Sequence, residues 1–407
     1  MLGGIKKRLA VMLAAGALLA GGAVAVVPGG VAHASGCTTA GCNLAAGDDS
    51  TLYIDPSDAN GFGDLSTYVG DITDTSTLSY YADSSGGINN EYGSGVFGSG
   101  TTGCTDVKAF QTAGGGVWAL ITNLDGTGWD QSAAESIINN ATTRATFAAN
   151  VATTITTSPC ANGFKFDGAE LDFENLKSTD RTGLNATIDA LAADLHNDSK
   201  LLAVSVFAKS SDQPSGFPTQ DAEDWGHITS KADLMNVQGY GYCWEGGCLT
   251  PPGAQPGPIG PLFWDKAAMD YAVTALGSTV VGSQVNLMMP LYGIDWPGTG
   301  TGTDVTYTSD SATTTNGAGV KNDVQDLESH YGGSASFETT DGSGNTVDSP
   351  YYNYTQSSTS HGVWFTNGTM VGDIITGVAA VDGLNGIGYW RGGGEDTSIW
   401  TATSSNW

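Results

Sequence analysis

Short apolar segments rich in β-branched residues recur along the chain and alternate with longer segments of helical periodicity. This alternation predicts repeated βα units, in which the strands of one sheet run parallel. Eight strands are expected, at Thr51–Asp55, Thr77–Ala82, Val117–Asn123, Phe164–Glu174, Leu201–Lys209, Leu234–Tyr242, Gln284–Leu291 and Gly386–Trp390. Helices are expected at Thr105–Ala113, Ala133–Thr157, Arg181–His196, Asp265–Leu276 and Gly372–Val381. Eight strands with a helix after most of them favour an α/β fold, a closed (β/α)8 TIM barrel, over an open doubly wound sheet.

Two segments interrupt the alternation. Residues 243–261 are rich in Gly and Pro and follow the sixth strand as a loop. Residues 297–361 are rich in Ser, Thr and Gly, and we expect them to form an insertion between strand 7 and its helix, with a hairpin at Ser334–Tyr354. Long connections of this kind usually shape the substrate cleft of a barrel. No internal repeat is present, so residues 35–407 are expected to form a single domain.

The most informative segment is residues 167–174, which read DGAELDFE. Because side chains alternate along a strand, Glu170, Asp172 and Glu174 share one face at the carboxyl end of the fourth strand. Three neighbouring carboxylates push their pKa values apart, so that one can stay protonated near neutral pH. A proton donor beside an ionised carboxylate is what cleavage of a glycosidic bond requires. A solvated strand face and a calcium site are the two alternative interpretations.

Composition excludes several partners and places the protein outside the cell. The formal charge of the 407-residue chain is −28, which repels nucleic acid and anionic lipid. Residues 1–34 have a basic start, an apolar stretch and a small-residue cleavage site, and are interpreted as a signal peptide rather than a membrane span. We therefore expect a secreted, extracellular monomer. A lipoprotein anchored at Cys37 is the minor alternative.

The cysteines and histidines point away from thiol and metal chemistry. An exported chain with six cysteines is expected to form disulfides. Proximity in the sequence suggests the pairs Cys37–Cys42, Cys243–Cys248 and Cys104–Cys160, which is one of fifteen pairings. The four histidines after residue 34 are not spaced as metal ligands, so no metal site is expected. A serine-hydrolase elbow is also missing from the sequence.

The acidic segment resembles the D-G-x-D-x-D-x-E signature of glycoside hydrolase family 18, the chitinase-like barrels. Only Glu170 departs from it, because the family has an aspartate there. Further segments resemble the branch of the family that lyses spore cortex and peptidoglycan. They are residues 120–123, 172–176 with 180–181, 204–209, 290–296, 388–391 and 394–396, which occur in the order of the third, fourth, fifth, seventh and eighth strands.

This resemblance implies a role for each acidic residue. Glu174 would protonate the leaving oxygen and later activate water. Asp172 would orient the substrate acetamido group, whose oxygen attacks the anomeric carbon, and Glu170 would act behind it as a proton partner. Tyr240 would donate its hydroxyl to the acetamido oxygen. The product would keep its anomeric configuration, and no cofactor is expected.

Two departures from the family put the site in question. Gln238-Gly239-Tyr240-Gly241 resembles the family's M-x-Y-D, with Gln238 for the methionine and Gly241 for the aspartate. Glu170 adds a methylene to a packed barrel core, which would push Asp172 out of register. Both departures leave an altered substrate or a slow enzyme as alternatives.

The remaining candidates are residues that would bind substrate. Trp390 resembles the tryptophan beneath the cleaved sugar, where a pyranose ring stacks on an aromatic face. The set of expected substrate-binding residues is Trp390, Gln238, Asp167, Tyr53 and Trp296. Trp118, Trp244 and Lys209 are further candidates for the cleft wall, although each is as readily explained as a core or surface residue.

The resemblance therefore implies a hydrolase that cleaves β-1,4 bonds next to N-acetylglucosamine in chitin or peptidoglycan. Two alternatives stay open at this point. One is a chitinase-like carbohydrate-binding protein with weak or no catalysis. The other is an enzyme for a sugar without an acetamido group, which would need a different nucleophile.

Overall fold

A closed parallel barrel lies at the centre of the computed structural model, which describes residues 49–56, 58–90, 102–212, 218–249, 256–276, 284–298, 300–308, 315 and 319–407. Its strands are β1 (Asp49–Ile54), β2 (Asp74–Ala82), β3 (Gly116–Thr122), β4 (Gly168–Asp172), β5 (Leu201–Phe207), β6 (Leu234–Gln238), β7 (Val285–Pro290) and β8 (Gly386–Trp390). Each strand pairs in parallel with the next, and β8 pairs with β1. The predicted (β/α)8 TIM barrel is confirmed.

Helices cover the outer face of the barrel. The α-helices are Ala59–Thr67, Thr102–Thr112, Gln131–Ile138, Ala141–Thr156, Arg181–Asn197, Pro218–Ala222, Trp225–Thr229, Leu262–Leu276, Val324–Tyr331, Gly368–Ile374, Ala380–Asp382 and Ser398–Asn406, with a 3₁₀ turn at Ser178–Asp180 and a π-helical turn at Ile375–Ala379. Every residue of β7 is buried, as expected for a strand with the barrel interior on one side and helices on the other. One large apolar cluster fills the layer between barrel and helices.

The prediction of one helix at Ala133–Thr157 is wrong, because the helix is interrupted at Asn139 and Asn140. Asn140 adopts an extended conformation, and its side chain accepts hydrogen bonds from the main-chain N–H groups of Thr142 and Thr143. Asparagine competes with helical backbone bonding and is favoured at the start of a helix. The asparagine pair therefore ends one helix and starts the next.

Four predicted strands, β4 to β7, are shorter than expected, and the early ends of β4 and β6 affect the carboxyl edge of the barrel most. β4 ends at Asp172, so Glu174 lies past the strand rather than on it. β6 ends at Gln238, because Gly239 and the left-handed Gly241 (φ 86°) turn the chain away from the sheet. The chemically interesting residues therefore lie on strand ends and in the loops that follow.

The expected insertion is present and begins at Gly293, earlier than predicted. Its five-stranded antiparallel sheet has the order Thr303–Val305, Gly293–Pro297, Thr359–Trp364, Thr346–Gln356 and Ser336–Thr340. The last two strands form the predicted hairpin. A separate apolar cluster, which includes Leu327 and Tyr352, packs the insertion's helix on this sheet.

The barrel interior contains polar residues at its amino end. Asp49 and Asp74 are both buried and hydrogen-bonded to each other through their side chains. Asn286 Nδ2 donates to Asp49 at 2.6 Å, and Trp118 Nε1 donates to Asp74 at 3.0 Å. Burial raises the pKa of both carboxyl groups, and the charge of Asp74 raises the pKa of Asp49 further.

Two of the three expected disulfides are present, Cys104–Cys160 and Cys243–Cys248. The second links neighbouring residues of a small hairpin, Cys243–Trp244 paired with Gly247–Cys248. The expected signal peptide and the pair Cys37–Cys42 lie outside the described residues. Within the described part of the chain, no helix combines the length and the apolar character needed to cross a bilayer.

Candidate active site

The carboxyl end of β4 carries the acidic residues. Glu170 and Asp172 lie on the inward face of the strand, whereas Leu171 is buried on the outward side with Phe173. The strand pairs with β3 in unbroken register from Gly168 to Asp172, so the extra methylene of Glu170 does not displace Asp172. The expected shift of register is wrong. It is wrong because the barrel interior provides hydrogen-bond donors around the longer side chain.

Glu170 is buried and accepts hydrogen bonds from four side chains of four other strands. The donors are the Tyr53 hydroxyl, Ser76 Oγ at 2.6 Å, Ser205 Oγ at 2.7 Å and Asn236 Nδ2 at 2.8 Å. An ionised carboxylate is an acceptor only, and four donors use most of its capacity. Glu170 is therefore held rigidly beneath the other two acids.

Asp172 and Glu174 both favour the protonated form. Burial raises the pKa of Asp172 well above its usual range, and the charges of Glu174 and Glu170 raise it further. Burial also raises the pKa of Glu174 to about 8, while a hydrogen bond from Gln238 lowers it and the charge of Glu223 raises it. The two carboxyl groups together hold at least one proton at neutral pH. A proton on Glu174 makes this side chain a competent general acid.

The acids line a cavity of about 140 Å³ at the centre of the barrel mouth. Its walls include the expected site residues Tyr53, Gln238, Tyr240 and Trp390. The rings of Tyr53 and Trp390 meet edge to face with their centroids 5.5 Å apart. Burial raises the pKa of the Tyr240 hydroxyl well above its usual range, and the charge of Asp172 raises it further. The hydroxyl therefore stays a hydrogen-bond donor.

Trp390 also belongs to a second, larger cavity of about 600 Å³. This cavity runs along the insertion, and its walls include Trp244, Tyr292, Asp304 and Arg391. Trp244 is 42% exposed, so its expected position in the cleft wall agrees with the structure. The two cavities together form a cleft that extends from the acids toward the insertion.

Two expected substrate-binding residues lie elsewhere. Asp167 lies just before β4, at the amino end of the barrel, where its carboxylate accepts the Val117 N–H and the Gln111 side chain, each at 3.0 Å. Asp167 therefore links the start of β4 to β3 and to the helix Thr102–Thr112, and it lies outside the cleft. Trp296 lies on the strand Gly293–Pro297 of the insertion sheet, and it is buried in a cluster with the disulfide Cys243–Cys248. Both assignments to substrate binding are corrected by these positions.

Trp118 and Lys209 are structural residues as well. Trp118 is buried and bonds to Asp74, at the opposite end of the barrel from the acids. Lys209 is 2% exposed, and its ammonium group donates to the main-chain carbonyls of Asp212, Gln220 and Glu223 at 2.9, 3.0 and 2.5 Å. Neither residue reaches the cleft.

Several residues of the site were missed from the sequence. They are Ser76, Asn123, Ser205 and Asn236. Ser205 and Asn236 have apolar neighbours at inward positions of their strands, which is the signal that identifies them. Asn123 directly follows a strand, and Ser76 lies in a polar run, residues 74–77, that gives no such signal. Glu223 was also missed; it is buried, and burial raises its pKa to about 8, despite hydrogen bonds from the Phe207 N–H.

Gly241 replaces the aspartate of the family pattern with open space. A Cβ built at this glycine would contact nothing within 4 Å. Gly241 instead lines a third cavity of about 350 Å³ beside Tyr240, with Trp244 and Trp264 in its walls. The site therefore lacks an acid here and gains an aromatic recess.

Comparison with known proteins agrees with this geometry. The profile of the family described as "Glycosyl hydrolases family 18" matches residues 122–395, which is well over half of the chain. The chain belongs to glycoside hydrolase family 18. It is a glycoside hydrolase, and the matched range includes Asp172, Glu174, Tyr240 and Trp390.

Three similar proteins have names of two kinds, chitinase and sporulation enzyme. YdhD of Bacillus subtilis (strain 168), whose name describes a sporulation-specific glycosylase, is 25% identical over 178 residues, or 44% of this chain and 38% of the relative. The spore cortex-lytic enzyme SleL of Bacillus cereus superposes with a TM-score of 0.70 at 18% identity, over 90% of this chain and 75% of that protein. A chitinase from Chromobacterium violaceum ATCC 12472 superposes with a TM-score of 0.70 at 21% identity, over 88% of this chain and 98% of that protein.

Proposed function

We propose that this family 18 hydrolase is secreted and cleaves β-1,4 bonds next to N-acetylglucosamine, in chitin or peptidoglycan. The observation that supports this best is the pairing of Glu174 with Asp172 in the cavity beside Trp390. A carboxylic acid that keeps its proton at neutral pH can protonate a leaving glycosidic oxygen. The aromatic wall is suited to the apolar face of a pyranose ring.

The proposed reaction uses the substrate as its own nucleophile. The acetamido oxygen attacks the anomeric carbon and forms a bond to it, while the glycosidic C–O bond breaks. The proton of Glu174 passes to the departing oxygen. The acid pair reacts in the state that holds a single proton, on Glu174. Asp172, ionised in that state, accepts the acetamido N–H and stabilises the positive charge of the oxazolinium ion, and Tyr240 donates to the acetamido oxygen. Glu174, now ionised, removes a proton from water as the water oxygen attacks the anomeric carbon. The bond from that carbon to the acetamido oxygen breaks, which opens the oxazolinium ring and restores the acetamido group. The anomeric configuration is retained overall.

The contacts of Glu170 support a substrate nucleophile over a second enzymatic one. A carboxylate that forms a covalent glycosyl intermediate must reach the anomeric carbon. Glu170 is buried, its oxygens accept four hydrogen bonds, and it is not among the residues that line the cavity. In this scheme it acts behind Asp172 as a proton partner.

The shape of the cleft supports a polymeric substrate. The cavity of about 600 Å³ shares Trp390 with the catalytic cavity, which leaves room for further sugar units along the insertion. The net charge of −28 favours neutral chitin over an anionic cell wall. The names of YdhD and SleL point instead to spore peptidoglycan. Both polymers therefore belong in the test.

The deciding experiment is mass spectrometry of products formed from chitin oligomers and from purified peptidoglycan. Wild-type protein should release fragments that end at N-acetylglucosamine, with the β-anomer formed first, as followed by NMR. Glu174→Gln should bind the same glycans without cleaving them. Glu328→Gln is the matched control, because Glu328 lies in the insertion helix and its acceptor contact with the Ala335 N–H is retained by glutamine. Binding without turnover by wild type would favour a carbohydrate-binding protein.

Secretion has a test of its own. The protein should be recovered from the culture medium with an amino terminus at or near Ser35. Retention in the membrane fraction, with a lipid on Cys37, would instead indicate the lipoprotein alternative.

A further inference from the structure

Gln238 lies between the two acids that carry the proposed reaction. It is the last residue of β6, it is buried, and its side chain lines the catalytic cavity. Its Nε2 donates to Asp172 Oδ1 at 3.3 Å. The same side chain is close enough to Glu174 for its hydrogen bond to lower the pKa of that carboxyl group. One amide therefore donates to Asp172 and lines the same cavity as Glu174.

The chemistry of an amide suits this position. The –NH₂ group has two hydrogens, so it can donate to two acceptors at once, and it does not titrate. Asp172 and Glu174 repel each other when ionised, and Glu170 below them is already held by four donors. Among the described residues, Gln238 is the side chain that donates to Asp172. A thioether at this place would leave Asp172 without that donor.

We propose that Gln238 is a positioning residue that holds Asp172 and Glu174 in their working orientation and eases the transfer of a proton from Glu174. This inference rests on the proposed function, because it assigns Glu174 as the acid. It differs from the expected substrate-binding role, because it assigns the amide of Gln238 to the orientation of the acids. The amide acts on the chemical step, and the aromatic walls formed by Tyr240 and Trp390 do not depend on it.

The test compares Gln238→Met and Gln238→Glu with wild type on chitin oligomers. Methionine has a similar volume and no donor, so kcat should fall about tenfold while KM changes less than about twofold. The basic limb of the kcat/KM profile should move to higher pH, because the hydrogen bond that lowers the pKa of Glu174 is lost. Glutamate should lose more activity at neutral pH and regain part of it in acid, where its protonated carboxyl group can donate.

The outcomes separate this inference from the function on which it rests. A raised KM with unchanged kcat would overturn the positioning role in favour of sugar binding. If kcat, KM and the basic limb of the pH profile were unchanged in both variants, the inference would fail outright. Thermal unfolding of each variant shows whether the barrel is intact, and acid rescue of Gln238→Glu cannot come from misfolding. If wild type itself cleaves no acetamido glycan, the proposed function fails, whatever the variants do.

Discussion

The side-chain amide of Asn123 is hydrogen-bonded to both main-chain groups of Glu174. Its Oδ1 accepts the Glu174 N–H at 2.9 Å, and its Nδ2 donates to the Glu174 carbonyl at 3.0 Å. Asn123 directly follows β3 and is fully buried. The two bonds fix the chain where it leaves β4, and so they fix the origin of the side chain that we propose as the acid.

Removal of this amide should impair catalysis more than substrate binding. For Asn123→Ala we expect kcat to fall about 100-fold, because a small displacement of a catalytic group has effects of this size. Asn150→Ala is the matched control. Asn150 lies in the outer helix Ala141–Thr156, and its side-chain amide donates a comparable bond to the Gly86 carbonyl at 2.8 Å. Steady-state kinetics on chitin oligomers measures both. Equal losses in the two variants would contradict a specific role for Asn123.

Activity should decline as the pH rises through about 8. The pKa of Glu174 is raised to about 8, and the acid must carry its proton to act, so kcat/KM should fall about tenfold for each pH unit above this value. Measurements of kcat/KM between about pH 5 and 10 test this. A profile that is flat to about pH 9, or that declines from about pH 5, would show that Glu174 does not supply the proton.

The carboxyl pair Asp49–Asp74 should make the fold less stable in alkali. Both groups have a folded pKa raised above the unfolded value of about 3.9. Their contribution to stability is therefore complete below that value and is lost as the pH rises through the folded pKa values. The loss is about 1.4 kcal/mol for each pH unit that separates the folded pKa from the unfolded one. Asp74→Asn keeps a hydrogen-bond donor toward Asp49 and should flatten this dependence.

Calorimetric Tm values between about pH 4 and 9 provide the measurement. The difference in Tm between Asp74→Asn and wild type should grow with pH. Asp198→Asn, at an exposed position, should follow wild type throughout. Parallel curves for all three proteins would mean that the buried pair does not control the pH dependence.

Lys209 should matter for folding rather than for catalysis. Lys209→Met leaves three main-chain carbonyls without their donor, and we expect a loss of about 3 kcal/mol in the free energy of unfolding. Lys266→Met removes only a surface ion pair with Asp270 (2.7 Å) and should cost less than about 1 kcal/mol. Urea unfolding compares the two. Similar costs would indicate that water replaces the lysine.

Trp390 and Trp296 should respond in opposite ways. Trp390→Ala removes a wall shared by two cavities, so KM for chitin oligomers should rise about tenfold or more while Tm changes little. Trp296→Phe should lower Tm and leave KM unchanged, because Trp296 is buried in the cluster around the disulfide Cys243–Cys248. A raised KM in Trp296→Phe would show that Trp296 contributes to substrate binding after all.

The strands and the acidic residues could be predicted because both depend on local pattern. Runs of β-branched residues identify the buried strands, and a period of two brings Glu170 and Asp172 to one face. The family resemblance then supplied the roles of the acids, and the structure brings Glu174, Tyr240 and Trp390 to the same cavity.

The parts that could not be predicted depend on partners that are distant in the sequence. Trp296 is buried because its strand pairs with Thr359–Trp364, about sixty residues later. Lys209 is buried because main-chain carbonyls between Asp212 and Glu223 surround its ammonium group. Asn123 acts on Glu174 across two neighbouring strands. None of these pairings leaves a periodic signal in the sequence.

The insertion leaves and rejoins the barrel at one point. Its strand Gly293–Pro297 pairs directly with its last strand, Thr359–Trp364, so Ile294 lies opposite Trp364. The segment between them has its own apolar cluster and supplies one wall of the larger cavity. We expect that changes confined to the loops of this segment alter which glycan fits the larger cavity, while the eight strands and their acids stay as they are.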